Sequence, residues 1–341
     1  MFKRLTLITT VAAVLAGTAA SAAAEEVNVY SARKEALIKP LLDEFTEQTG
    51  IEVNLVTGGA DALLKRLEME GMNSPADVVI TVDAGRLHRA RTSDLLQPVE
   101  SDAIAAAVPA QYRDPENYWF GLSLRARPIM YATERVDASE LSTYEALADP
   151  QWRQRICIRS SNNIYNQSLV ASMIAANGVE ATEEWARGLV ANMARPPQGG
   201  DRDQIRAAAA GECDVAVANT YYLGRMINNT DDASAREAAS TIAIHWPNQD
   251  GRGTHVNVSG IGVTRSARNM DQAIRLIEFL LSDESQAYYA SSNYEYPVKE
   301  GVEWSDTLSA WGTFKADSVN LSVLGENNPE AVKLMDRAGW K

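Results

Sequence analysis

Apolar residues recur along this chain with two alternating periods, one matching strands and the other helices. Val27–Tyr30 reads as a strand, and Leu37, Ile38, Leu41, Leu42 and Phe45 then mark one face of a helix stopped by Gly50. Ile51–Val56 alternates like a second strand. Thr57-Gly58-Gly59 opens a helix with Leu63, Leu64 and Leu67 inward, and Asp77–Val82 forms a third strand before a helix around Arg86–Arg91. This βαβαβ rhythm predicts an open, mostly parallel sheet flanked by helices on both faces.

A second unit begins later. Ile156–Arg159 and Asp214–Ala218 are strand candidates, separated by helical stretches near Leu169–Asn177, Thr182–Met193 and Asp203–Ala210. The chain then runs through Ile242–His245 and the Gly-rich loop Asn248-Gln-Asp-Gly-Arg-Gly253. The strand Gly260–Thr264 and the helix Asp271–Leu281 follow, the helix with Ile274, Ile277 and Leu280 in register. No short repeat or low-complexity linker separates the units. The pattern predicts two α/β lobes joined by hinge crossings, with a cleft between them. The first lobe is expected to hold residues 25–125 plus about 250–300, and the second 126–249 plus about 301–341.

Composition narrows the function. The 341 residues are 45% hydrophobic and 23% charged, an ordinary globular balance long enough for two cores. A net charge of −13 argues against a nucleic-acid binder. Residues 1–24 read as a signal peptide: Lys3 and Arg4, an apolar run from Leu5 to Ala16, then the small-x-small pattern of Ala20-Ser21-Ala22 or Ala22-Ala23-Ala24. Its removal takes the side-chain charge from −13 to −15. The mature chain is expected to be a periplasmic monomer with no membrane insertion of its own. In that oxidising compartment Cys157 and Cys213, each in a short apolar strand, read as a disulfide, with two buried free thiols as the alternative.

The candidate chemistry is phenolic. Asn219-Thr-Tyr-Tyr222 follows directly on an apolar strand, at the carboxyl end where open α/β sheets bind ligands. Tyr165, in Ser160-Ser-Asn-Asn-Ile-Tyr-Asn-Gln-Ser168, also follows a strand. Tyr288-Tyr289, in a helical pattern, reads instead as a packed face. Three phenols become anionic at neutral pH only beside a strong cation, and hard Fe³⁺ prefers anionic oxygen donors. Three phenolates fill half an octahedron, so water, a carboxylate or a chelating anion must complete it. Arg33 lies near a helix N-terminus, and Arg125 and Arg127 lie at a lobe crossing. Guanidinium groups fork naturally onto carbonate or carboxylate. Catalytic patterns are poor: His88 reads as exposed, His245 as packed, and His255 adjoins the Gly-rich loop. No nucleophile elbow, Walker loop or zinc-protease helix occurs, so an enzyme is not expected.

The sequence resembles the periplasmic ferric-ion-binding proteins of bacterial iron ABC importers, two-lobed solute-binding proteins. The resemblance spans nearly the whole mature chain. It rests on Val29-Tyr-Ser-Ala-Arg33, Asn73-Ser-Pro-Ala-Asp-Val78, Gly199-Gly-Asp-Arg-Asp203, Asn219-Thr-Tyr-Tyr-Leu-Gly224, Pro247-Asn-Gln-Asp-Gly-Arg-Gly-Thr-His255 and Val258-Ser-Gly-Ile-Gly262. It implies that Tyr165, Tyr221 and Tyr222 bind Fe³⁺ for delivery to an inner-membrane permease. Many such proteins add a first-lobe histidine, but here the matching positions are Lys34 and Glu35. Glu35 could substitute as a carboxylate. The preferred variant uses three tyrosines and a synergistic anion, carbonate or another, anchored by Arg33, Arg125, Ser161 and Asn219. Lys34 is a further candidate contact. A binder of an organic cation such as thiamine or a polyamine, caged by the tyrosines, is the alternative.

Overall fold

The structure, a computed structural model, describes residues 25–341, so the signal peptide expected over 1–24 lies outside the described residues. Strands β1 (Glu26–Ser31), β2 (Glu52–Thr57), β3 (Val78–Val82), β4 (Leu96–Gln97) and β5 (Phe120–Ala126) come first. Strands β6 (Ile129–Ala132), β7 (Ile156–Cys157), β8 (Val215–Val217), β9 (Ile242–His245), β10 (Val256–Thr264) and β11 (Tyr296–Pro297) follow. They form a seven-stranded sheet in the order β11-β5-β10-β3-β1-β2, with β4 paired to β10, and a four-stranded sheet in the order β7-β8-β6-β9. Each sheet is the centre of one lobe. Among the described residues no helix is long and apolar enough to cross a membrane.

The expectation of mostly parallel sheets is corrected. β1 pairs in parallel with β2 and β3, and β7 with β8, whereas β10 runs antiparallel to β3, β4 and β5, and β6 antiparallel to β8 and β9. The hinge dictates this. β5 ends where the chain leaves the first lobe and β10 begins where it returns. Neighbouring strands anchored at one hinge, one outgoing and one incoming, must oppose each other. The same holds for β6 and β9 in the second lobe.

Local chemistry explains the elements. The helix Glu35–Thr49 buries Ile38, Leu41, Leu42 and Phe45 and ends at Gly50, whose φ of 72° is left-handed backbone that glycine adopts without strain. β10 is buried along all nine residues, longer than its Gly260–Thr264 end suggests. A side chain at Gly260 would come within 2.6 Å of the Phe120 carbonyl, so β5 and β10 approach this closely only with glycine there. β5 itself follows the alternation Phe120, Leu122, Leu124, although the sequence reading treated this region only as a crossing.

The lobes also meet behind the cleft. Asp83, at φ 82°, accepts hydrogen bonds from the Gly85 amide at 2.9 Å, from the Asn257 amide group at 2.9 Å and from the Ser168 hydroxyl at 2.7 Å. Ser168 belongs to the second lobe, so this buried carboxyl ties it to the first. The C-terminal helix Asn328–Arg337 packs on helices Ile164–Asn177 and Val179–Asn192 of the second lobe.

Cys157 and Cys213 form a disulfide with Cα atoms 5.9 Å apart, because β7 and β8 are parallel neighbours. The bond closes 56 residues of chain. Replacing both cysteines by serine is expected to lower stability by about 4 kcal/mol through the freed unfolded chain. Denaturant unfolding of the two forms checks this.

Candidate metal and anion site

Two helix N-termini bring the phenols together. Tyr221 and Tyr222 occupy the first turn of the helix Thr220–Ile227, which begins where β8 ends. Tyr165 lies in the first turn of Ile164–Asn177, whose start is capped by the Asn163 side chain accepting from the Tyr165 amide at 3.2 Å. The Tyr221 hydroxyl donates to the Tyr165 hydroxyl at 3.3 Å, and the Tyr221 and Tyr222 rings lie 4.3 Å apart between centroids.

One buried arginine fixes these elements. Arg127 donates to Asn219 at 2.9 Å, Asn166 at 2.6 Å, Asp201 at 3.0 Å and the Val217 carbonyl at 3.2 Å. Asp201 in turn accepts from the Asn219 amide at 2.8 Å. A single guanidinium on the hinge thus ties together both tyrosine-bearing helix starts, the end of β8 and the helix Asp201–Ala210. Its partners are neutral amides, a carbonyl and one carboxylate, so the buried charge is solvated by the protein.

The phenols face a cleft of about 430 Å³ between the lobes. Arg33, Lys34, Arg125, Arg159, Arg202 and Arg225 line it, against Asp201, Asp203 and Glu295. Arg125 is 2% exposed; one terminal nitrogen donates to Ser259 at 2.6 Å, while Nε and Nη1 have no partner. Buried unpaired guanidinium donors are costly, and these lie 6.0 Å from the Tyr221 ring, measured from Cζ to the centroid. Arg225 stacks over the same ring at 5.1 Å. Arg33 is committed elsewhere: both its terminal nitrogens donate to Glu295 Oε2 at 3.0 Å.

Burial pushes the Tyr221 hydroxyl well above the ordinary phenol range, and the adjacent Tyr165 and Tyr222 phenols push it the same way. Burial, then Tyr165, pushes Tyr222 up to about 12. Both therefore hold their protons near neutrality unless a cation displaces them. Among the described residues no three His, Cys, Asp or Glu side chains are grouped to hold a metal ion.

The structure brings Tyr165, Tyr221, Tyr222, Arg33, Arg125 and Lys34 to one cleft, and leaves three expected residues outside it. Glu35 is exposed on the opening turn of its helix. The Ser161 amide donates to the C-terminal Lys341 carbonyl. Asn219 turns its carbonyl oxygen to Arg127. Arg159, Arg202, Arg225 and Glu295 were not anticipated. Arg225 had a signal, since it sits one helical turn from Tyr221 and Tyr222; Glu295 had none. His88, expected to be exposed, is half-buried against Gly325, where a side chain would come within 2.3 Å of it. Tyr289 is buried in the main hydrophobic core, and Tyr288 packs against that core.

Residues 73–316 match the family model of the bacterial extracellular solute-binding proteins. The chain belongs to this family. It is 50% identical over 317 residues to iron uptake protein A1 of Synechocystis sp., covering 93% of this chain and 88% of the relative. The FutA (IdiA) protein of Trichodesmium, solved with iron and citrate ligands, superposes with a TM-score of 0.90 at 49% identity, covering 93% of this chain and all of that one. The ferric binding protein from Campylobacter jejuni gives 0.87 at 42% identity, over 92% of this chain and all of its own. Such solute-binding proteins are two-lobed, as this chain is.

For this solute-binding protein the hub on the hinge makes a sharp prediction. Arg127→Met leaves the buried Asp201 carboxylate with the Asn219 amide and, as its one cation, Arg159 at 3.3 Å, and should cost about 3–5 kcal/mol of stability. Arg127→Lys, which keeps the charge but not the fork, should cost less. Thermal or denaturant unfolding of the three proteins measures both.

Proposed function

We propose that this protein captures Fe³⁺ in the periplasm through the phenolates of Tyr165, Tyr221 and Tyr222 together with a synergistic anion, and delivers it to an inner-membrane ABC importer. The observation that carries this reading is the convergence of three phenols, two of them held protonated by burial, in a cleft crowded with guanidinium groups. Fe³⁺ displaces the phenolic protons and is neutralised by three phenolates. The surplus arginine charge then calls for an anion, and the unpartnered donors of Arg125 are the natural fork for it. Carbonate fits a fork of this kind, as does a carboxylate such as the citrate that accompanies iron in the Trichodesmium relative.

Six lining cations against three carboxylates leave a surplus of positive charge that disfavours thiamine or a polyamine, which, unlike Fe³⁺, cannot displace the phenolic protons and be neutralised by phenolate. Iron and anion dock on the tyrosine-bearing second lobe. Closure about the hinge, with the lobes dividing at residues 25–125 plus about 250–300 and 126–249 plus about 301–341, brings the first-lobe cations over them. A monomer in that closed form is what the permease recognises.

Iron-loaded Tyr221→Phe and Tyr222→Phe are each expected to lose most of the visible phenolate-to-iron absorbance while keeping the wild-type circular dichroism. A full-strength band in either variant would remove that residue from the ligand set. Affinity should also climb with pH. Tyr221 and Tyr222 each release a proton on binding, because their pKa values lie above the assay range. The logarithm of the apparent association constant should therefore rise by about two or more per pH unit between roughly pH 6 and 8 at fixed anion. Competition titrations against a chelator of known protonation give the slope, and a flat profile would count against phenolate binding.

A further inference from the structure

Glu295 reaches the cleft by an unusual backbone route. The helix Asp283–Tyr288 runs into a π-turn over Tyr289–Asn293, and Tyr294 then adopts left-handed backbone with φ 55° and ψ 36°. Positive φ at a tyrosine costs on the order of 1 kcal/mol or more, and π-turns concentrate at functional segments. What this detour delivers is a carboxylate lining the same cleft as the phenols.

Its surroundings hold it as an anion. Oε2 accepts both terminal nitrogens of Arg33 at 3.0 Å and the Ser123 hydroxyl, and the Arg33 and Glu295 side chains are 2% and 4% exposed. Among the described residues, the hydrogen bonds to this carboxylate all go to Oε2. Burial pushes the carboxyl pKa up, but Arg33, Arg125, the Ser123 hydrogen bond and Arg225 together leave it below its ordinary value. The terminal nitrogens of Arg33 are thus occupied and only its Nε is left over, whereas Arg125 keeps two donors free.

We propose that Glu295 is a built-in counter-anion that sets how far iron binding depends on the synergistic anion and how much charge that anion carries. The proposal rests on the iron reading above. One fixed negative charge in the cleft attracts Fe³⁺ and repels the incoming anion, so it exchanges anion affinity for anion-independent iron affinity. Repulsion scales with the anion's charge, so Glu295 discriminates against citrate more than against carbonate.

The test uses the mature chain with Glu295→Gln, which keeps the shape and an acceptor for Arg33 but loses the charge. Glu295→Asp draws the charge back by one methylene. Carbonate and citrate are titrated into each iron-loaded protein by the phenolate-to-iron absorbance, and iron affinity without added anion is measured by chelator competition. In Glu295→Gln citrate should bind about tenfold tighter, carbonate should gain less, and iron alone should bind more weakly. Glu295→Asp should move all three in the same directions by smaller factors, and it decides the matter should the Gln variant misfold. Weaker anion binding, equal gains for the two anions, or an Asp variant as far shifted as the Gln variant would overturn the proposal. A wild-type protein with no absorbance band on iron addition would instead sink the iron reading, and this one with it.

Discussion

Two phenols pushed out of water beside a third keep their protons until something strongly positive takes the protons' place. The geometry of Tyr165, Tyr221 and Tyr222 is organised around that constraint. Burial alone would make the trio an inert hydrogen-bonded cluster. A trivalent cation converts the same desolvation into affinity, because in a dry cleft the attraction between phenolate and metal is screened far less than in water. The surrounding arginines would be a poor setting for a bare cation. On the proposed reading they suit a cation that three phenolates neutralise in place, leaving the surplus positive charge to an anion.

The tyrosines come from one lobe and much of the surrounding charge from the other, and the hinge serves both. Arg125 and Arg127 are two residues apart on the outgoing crossing. Arg125 is anchored to Ser259 on β10 of the first lobe, while Arg127 is anchored among Asn166, Asp201 and Asn219 of the second. A movement at this crossing therefore shifts a cleft arginine relative to the phenols it faces, without loosening the phenols from one another.

What the sequence revealed was local. A strand running into a helix start is written in adjacent residues, so the placement of Tyr221 and Tyr222 at a carboxyl strand end could be read directly, and Arg33 beside its helix likewise. The alternation over Phe120–Leu124 was also present, but the direction of β5 and β10 follows from where the chain re-enters the first lobe, which no local pattern records. Asn219 and Ser161 were expected at the anion from the family resemblance. The carbonyl oxygen of Asn219 is held by Arg127, 92 positions away, a contact that no local pattern records. Glu295 depends on a π-turn and a left-handed tyrosine that composition and periodicity do not encode.

A ligand favours closure only to the extent that it binds the closed form better than the open one. On the proposed reading the three phenolates sit on a single lobe and hold Fe³⁺ before the other lobe approaches, so their contacts with the metal change little on closure except through the loss of water. The polar groups that the first lobe contributes are Arg33, Lys34, Arg125 and Glu295, charges and not phenols, beside the apolar Ala32, Leu37 and Val82. On the proposed reading, these charges act on the cargo as it is enclosed, and the anion is the part that the surplus guanidinium groups attract. The coupling between capture and closure would then run chiefly through the anion, with the net charge the first lobe presents setting its strength.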